Sequence, residues 1–145
     1  MKQPMRLEEL FKEGHLAHIT PDRALADKES AEGDLDLQGA AKAIDDEDFK
    51  WATIKAYYSM FHNAKAILFL IGIKERAHFA IGLVLEDLAR KGKLESRFAD
   101  YFRAGLSLRE RADYHYAYSK ESAKELLEMA EEFAKRMRKL AKDMK

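Results

Sequence analysis

Between Ala123 and Met144 the apolar residues recur at three- and four-residue spacing, through Ala123, Leu126, Leu127, Ala130, Phe133, Ala134, Met137, Leu140, Ala141 and Met144. Sustained over about six turns, with Lys and Glu filling the other positions, that stripe belongs to an amphipathic helix laying one face on a core. The chain must supply whatever covers it. No stretch shows a convincing strand signal, the two-residue alternation of a half-buried strand included, so the covering elements are read as helices too.

Start and stop signals divide the rest. Pro4 followed by Leu7, Leu10 and Phe11 predicts a short first helix ended near Gly14. Thr20 before Pro21 predicts the next start, since a hydroxyl can cap free backbone N–H groups and proline suits the first helical position. Ala24 to Ile44 is read as helical, with a break expected near Gly33, because Gly33 and Gly39 each cost about 1 kcal/mol relative to alanine. The acidic group Asp45, Asp46, Glu47 and Asp48 opens a central helix, where negative charge near an N-terminus is favoured. That helix continues through Phe49, Trp51, Ile54, Tyr57, Tyr58, Phe61, Ala64, Ile67, Leu68 and Ile71 to a stop at Gly72. Its apolar positions cover more than one stripe, so other helices surround it on most sides. Ala77 to Arg90 is the next helix, with Gly92 as its stop. Another begins near Leu94, uses Phe98, Tyr101 and Phe102, and has Gly105 as a candidate bend; Ser119 caps the last. The sum is an all-α fold, an antiparallel up-and-down bundle of five or six helices in one domain over residues 1–145.

Charge narrows the function. Twenty-six basic and 26 acidic side chains give a formal net charge of zero, so this is no generic polyanion binder and any nucleic-acid contact is local. The basic run Lys135, Arg136, Arg138, Lys139, Lys142 and Lys145 reads as the solvated end of a helix, complementing its dipole. The longest apolar run, Ala66 to Ile73, falls far short of the roughly 18 residues of a membrane span, and no signal-peptide pattern precedes the first helix, so a cytoplasmic protein with no membrane partner is expected. The absence of cysteine removes disulfides, thiolate metal sites and a cysteine nucleophile. Gly-rich phosphate loops and Ser/His/Asp patterns are missing too. His15 and His18 are three apart, but two ligands do not make a metal site; neither metal nor cofactor is expected. His62 and His78 read as buried hydrogen-bonding groups.

Polar chemistry gathers instead in Leu108–Tyr118, which holds Arg109, Arg111, Asp113, Tyr114, His115, Tyr116 and Tyr118. On a helix Arg109 and Asp113 share a face, as do Arg111 and His115. Arg109 and His115 are about 120° out of phase and share a face only if the helix ends or distorts near His115. One reading makes Arg109 and Asp113 a surface ion pair, worth about 0.2–0.5 kcal/mol, with the tyrosines capping a core. The other is chemical: a guanidinium can hold phosphate oxygens and stabilise developing negative charge, and an imidazole can take or give a proton near neutrality. Together they suffice for metal-free RNA cleavage, in which a base deprotonates the ribose 2′-hydroxyl and arginine steadies the phosphate it attacks. The reaction needs a base and an acid, and two copies of His115 across a symmetric dimer would supply both.

Three features resemble one known family. These are the helix Ala56-Tyr57-Tyr58-Ser59-Met60-Phe61-His62-Asn63-Ala64-Lys65-Ala66-Ile67-Leu68, the Gly72 turn leading to His78, and Arg109 followed by Ala112-Asp113-Tyr114 before the final helix. Over about Phe49 to Lys145 the chain resembles HEPN domains, particularly the small stand-alone prokaryotic ones often encoded beside a minimal nucleotidyltransferase. The resemblance implies a helical bundle, usually dimeric, whose signature lines the dimer cleft. Ribonuclease-type members carry arginine, four to six residues, then histidine; Arg109 to His115 fits and Arg111 to His115 does not. The resemblance therefore implies Arg109 as the phosphate-binding group and His115 as the acid/base, with Arg111, Asp113, Tyr114, Tyr116 and His78 in binding or supporting roles. Two positions depart from the pattern: Glu110 stands where a small polar residue is common, and Ala117 stands where some members carry a tyrosine that their partner nucleotidylates. The expected function is a toxin–antitoxin HEPN protein, a metal-independent endoribonuclease acting as a homodimer on RNA and restrained by a nucleotidyltransferase antitoxin. The competing expectation is a non-catalytic module that binds a nucleotide or docks that partner.

Overall fold

The computed structural model describes residues 6–144. In chain order the elements are α1 (Leu7–Lys12), β1 (Leu16–His18), α2 (Arg23–Asp45), α3 (Phe49–Ile71), β2 (Ile73–Glu75), α4 (His78–Arg90), α5 (Ser96–Tyr114) and α6 (Lys120–Asp143). The architecture is the expected all-α bundle, with one small sheet added. Pro4, the proposed start signal of α1, lies outside the described residues, as does Lys145.

α3 is the axis. Ala52, Ile54, Tyr57, Met60, Phe61, Ala64, Ile67 and Leu68 are buried around its circumference, as its broad apolar coverage predicts. α2, α6 and α5 pack on it, and α4 packs on α5. Tyr57, Met60 and Ile67 of α3 meet Ile81 and Leu85 of α4, Phe98 and Phe102 of α5, and Leu126 and Phe133 of α6 in one continuous core. Burial of each such side chain stabilises the fold by about 1.5–3 kcal/mol before the cost of ordering it. α6 buries the predicted stripe, and Ser119 caps it, its hydroxyl accepting the Ser122 N–H at 3.1 Å. No helix among the described residues is long and apolar enough to cross a membrane.

Several local expectations are corrected. Asp22, not Thr20, caps α2, its carboxylate accepting the Leu25 N–H at 3.0 Å; Thr20 and Pro21 belong to the extended approach. α2 runs unbroken through Gly33, where a Cβ would lie 2.5 Å from Asn63 Nδ2 and 3.2 Å from the Ser59 carbonyl oxygen. That glycine lets two helix backbones approach; it does not interrupt one. Of the acidic group only Asp48 caps α3, accepting the Trp51 N–H at 3.3 Å. Asp45 ends α2, and Glu47 takes the turn between them with φ 57°. α5 passes through Gly105 without stopping; a Cβ there would collide with Met60 Cε, so this glycine again marks close packing.

The expectation of no strands also fails. β1 and β2 pair antiparallel, with Leu16 opposite Glu75, Ala17 opposite Lys74 and His18 opposite Ile73. Further bonds from Ile19 N–H to the Gly72 carbonyl (2.9 Å) and from Arg76 N–H to the His15 carbonyl (2.8 Å) lengthen the ladder. Gly72, at φ 81°, ends α3 in the left-handed conformation that glycine adopts at least cost. The sheet thereby fixes the turn from α3 into α4 and sets His78, the first residue of α4, against α3.

Candidate functional site

Arg109 projects inward from α5. Its side chain is 15% exposed, its Nη2 donates to the Tyr58 hydroxyl at 2.9 Å, and the nearest carboxylate oxygen, Asp113 Oδ2, is 3.7 Å away. The guanidinium carbon lies 5.9, 5.4 and 5.6 Å from the ring centroids of Tyr57, Tyr58 and Tyr114. Aromatic faces attract cations more strongly when water is excluded, so the three tyrosines form a box that orients the charge. Arg109 Nε is sealed inside without a hydrogen-bond partner. A purely surface ion pair with Asp113 is therefore the wrong description: Asp113 is half-buried beside an arginine held mainly by aromatic residues.

The box continues to His78. Tyr57 is fully buried and its hydroxyl lies 2.6 Å from His78 Nδ1. Burial holds the Tyr57 phenol well above the usual range for its proton loss. Burial, and then the positive charge of Arg109, push His78 below the ordinary histidine value. Phe61 stacks on the imidazole at 4.4 Å between centroids and 17° between planes.

His115 is placed differently. α5 ends at Tyr114, and His115 is its C-cap, with φ −116° and ψ 0°, its N–H bonded to the Arg111 carbonyl at 3.0 Å. Tyr116 then turns left-handed, at φ 54°, and the Ala117 N–H returns to the same Arg111 carbonyl at 3.0 Å. A non-glycine residue in that region costs on the order of 1–3 kcal/mol. The His115 side chain is exposed. Tyr116 is 75% exposed and shares Lys50 with Trp51, the Lys50 Nζ lying 5.5 and 5.6 Å from their rings. Arg111 is exposed and its only side-chain bond among the described residues is to Ser107 Oγ, at 3.5 Å. The structure thus gathers Arg109, Asp113, Tyr114 and His78 into one cluster and leaves His115, Arg111 and Tyr116 exposed at the end of α5 or just beyond it.

Tyr57 and Tyr58 also belong to this polar cluster, although by sequence they are read only as core. The available signal is their hydroxyl groups: a buried phenol needs a polar partner, and two in a row on an apolar helix imply a polar site against it. A second polar network lies along α2 and α3, where His62 Nδ1 meets Glu29 Oε2 at 2.6 Å and Lys65 Nζ bridges Glu29 and Glu75 at 3.5 and 3.4 Å. Among the described residues no group of three or more His, Asp or Glu side chains is arranged to hold a metal ion. Beside the tyrosine box, between α4 and α5, runs an apolar groove of about 370 Å³ lined by Phe79, Leu83, Phe102 and Leu106, with Arg103 and Glu110 at its polar margin.

Compared with known protein families, residues 28–140 match the one described as the HEPN domain. No curated protein matches the chain.

Proposed function

The chain belongs to the HEPN domain family, whose members are often nuclease or toxin-type modules and commonly dimerise; on that premise we propose that it is a metal-independent endoribonuclease of the toxin–antitoxin type. The active unit is a homodimer, and a minimal nucleotidyltransferase is its restraining partner. The observation that carries this reading is the end of α5. Arg109 is fixed beneath three tyrosines. His115, the C-cap whose N–H still bonds to the Arg111 carbonyl, lies about 120° round the helix from it with its side chain exposed, where an imidazole can face its symmetry mate.

In the reaction, His115 of one protomer takes the 2′-hydroxyl proton and the freed oxygen attacks the adjacent phosphorus. The bond to the 5′-oxygen breaks, and His115 of the partner returns a proton to that leaving oxygen. The products are a 2′,3′-cyclic phosphate and a 5′-hydroxyl. Arg109 stabilises the extra negative charge on the phosphorane oxygens, and its rigid mounting means little reorganisation at that moment. The α4–α5 groove supports the dimer. It is an apolar face lined by Phe79, Leu83, Phe102 and Leu106, and a two-fold contact would bury it against its own copy.

One observation favours the competing reading, a non-catalytic module that binds a nucleotide or docks the partner: Arg109 is mostly buried and already engaged by Tyr58 and Asp113. RNA cleavage in EDTA separates the two. For the ribonuclease, His115→Ala lowers the rate by about 10²–10⁴-fold with an unchanged melting temperature, and Arg109→Lys lowers it with the fold intact by circular dichroism. If contaminant-free wild-type dimer leaves RNA whole, or both variants cut as wild type does, the module reading replaces the enzyme.

A further inference from the structure

The Tyr57 hydroxyl has one hydrogen-bond partner among the described residues, His78 Nδ1. If the hydroxyl only accepted there, its own O–H would be left unsatisfied inside the core; if it donates, nothing is left unpaired. The donor direction also agrees with burial, which keeps the phenol protonated. A neutral imidazole that accepts at one nitrogen carries its proton on the other, so the ring proton sits on Nε2. The groups acting electrostatically on this ring are Arg109 and Glu110 of α5, Lys65 of α3 and Glu75 of β2. Burial and the two cations outweigh the two carboxylates, so a second ring proton is disfavoured.

The ring is fixed as well as neutral. Phe61 stacks on one face, Tyr57 lies at 5.9 Å and 22°, and Tyr58 meets it edge-on at 6.4 Å. His78 is only partly buried, and its Nε2 bonds to none of the described residues. Arg109 lies over the rings of the same Tyr57 and Tyr58, and its Nη1 is likewise without a bond among the described residues. One positive donor and one neutral donor are therefore mounted on a single aromatic pair.

We propose that His78 is a fixed neutral donor, presenting Nε2–H beside Arg109 to an anionic oxygen of a phosphate or phosphodiester. This deepens the ribonuclease reading and rests on it for the identity of the anion; the tautomer stands independently of it. Such a donor would hold a non-bridging oxygen and leave proton transfer to His115. The fixed tautomer suits the task, because the Tyr57 hydroxyl occupies Nδ1 and leaves Nε2–H facing outward as the donor.

The test is imidazole ¹H–¹⁵N correlation spectroscopy on the full labelled chain, with inorganic phosphate titrated in. The expected result is a neutral Nε2–H pattern for His78 at neutral pH, shifted by phosphate. His78→Phe, which keeps the stacked ring, and Arg109→Lys should each weaken phosphate binding about tenfold or more. Should Tyr57→Phe fold, it loses the single tautomer; should it not, the wild-type spectrum decides alone. A protonated ring at pH 7, an Nδ1–H pattern, or a His78 resonance indifferent to phosphate overturns the proposal. Loss of RNA cleavage in His115→Ala bears on the ribonuclease reading only, so the two can fail separately.

Discussion

A charged side chain is costly to bury without a partner, and Arg109 is held here by one hydroxyl, one carboxylate at 3.7 Å and three rings. Removal of any member of that box would loosen the charge that, in the proposed reaction, meets a phosphate. His78 carries a measurable consequence of the same cluster. Its folded-state value lies below the ordinary 6.5, so as pH falls through 6.5 the unfolded chain binds a proton that the folded chain refuses. Stability is then lost on acidification between 6.5 and the lower folded value, and is constant above and below that window. Urea unfolding of wild type and His78→Gln across the window should show a steeper acid loss in wild type; parallel curves would mean that the ring is not held neutral. The sequence made Arg109, Asp113 and Tyr114 legible because their relations are local, four or five residues along one helix. It hid the Tyr57–His78 and Tyr58–Arg109 bonds, whose partners lie 21 and 51 residues apart and meet only after packing.

Among the elements, the helices were legible for the reason that α6 is: burial of one face leaves a period in the residue order. β1 and β2 left no such trace, since three residues cannot display a period and each strand depends on a partner far along the chain. Glycine was misread in the same way. Gly33 and Gly105 look like helix breakers by propensity, yet both serve close approach between helices, where tertiary packing outweighs about 1 kcal/mol of intrinsic preference. The segment from His115 to Ser119 hangs between two fixed ends, the Arg111 carbonyl and the α6 cap. Ser119→Ala should cost about 1 kcal/mol in chemical unfolding and speed hydrogen exchange in the first turn of α6. Unchanged exchange there would remove the cap from any account of how His115 is held.

For the molecule as a whole, equal numbers of acids and bases mean that the proposed RNA substrate would be drawn in by local geometry and not by bulk attraction. The proposed two-fold contact over the α4–α5 groove makes a specific demand. Leu106→Glu places a charge in that groove and should convert a dimer into a monomer by sedimentation, with RNA cleavage falling alongside. A Leu106→Glu protein that stays dimeric would move the interface elsewhere, and one that is monomeric but fully active would dismiss the paired-imidazole mechanism.

α3 has helices against it on nearly every side, and its exposed residues, Trp51 and Ile71, lie near its two ends. Such a rod has no idle side on which random drift can accumulate. Codon changes will settle on the outward faces of α2 and α6 and be purged along residues 49–71, so a lineage descending from this chain would keep its spine nearly verbatim while rewriting its coat.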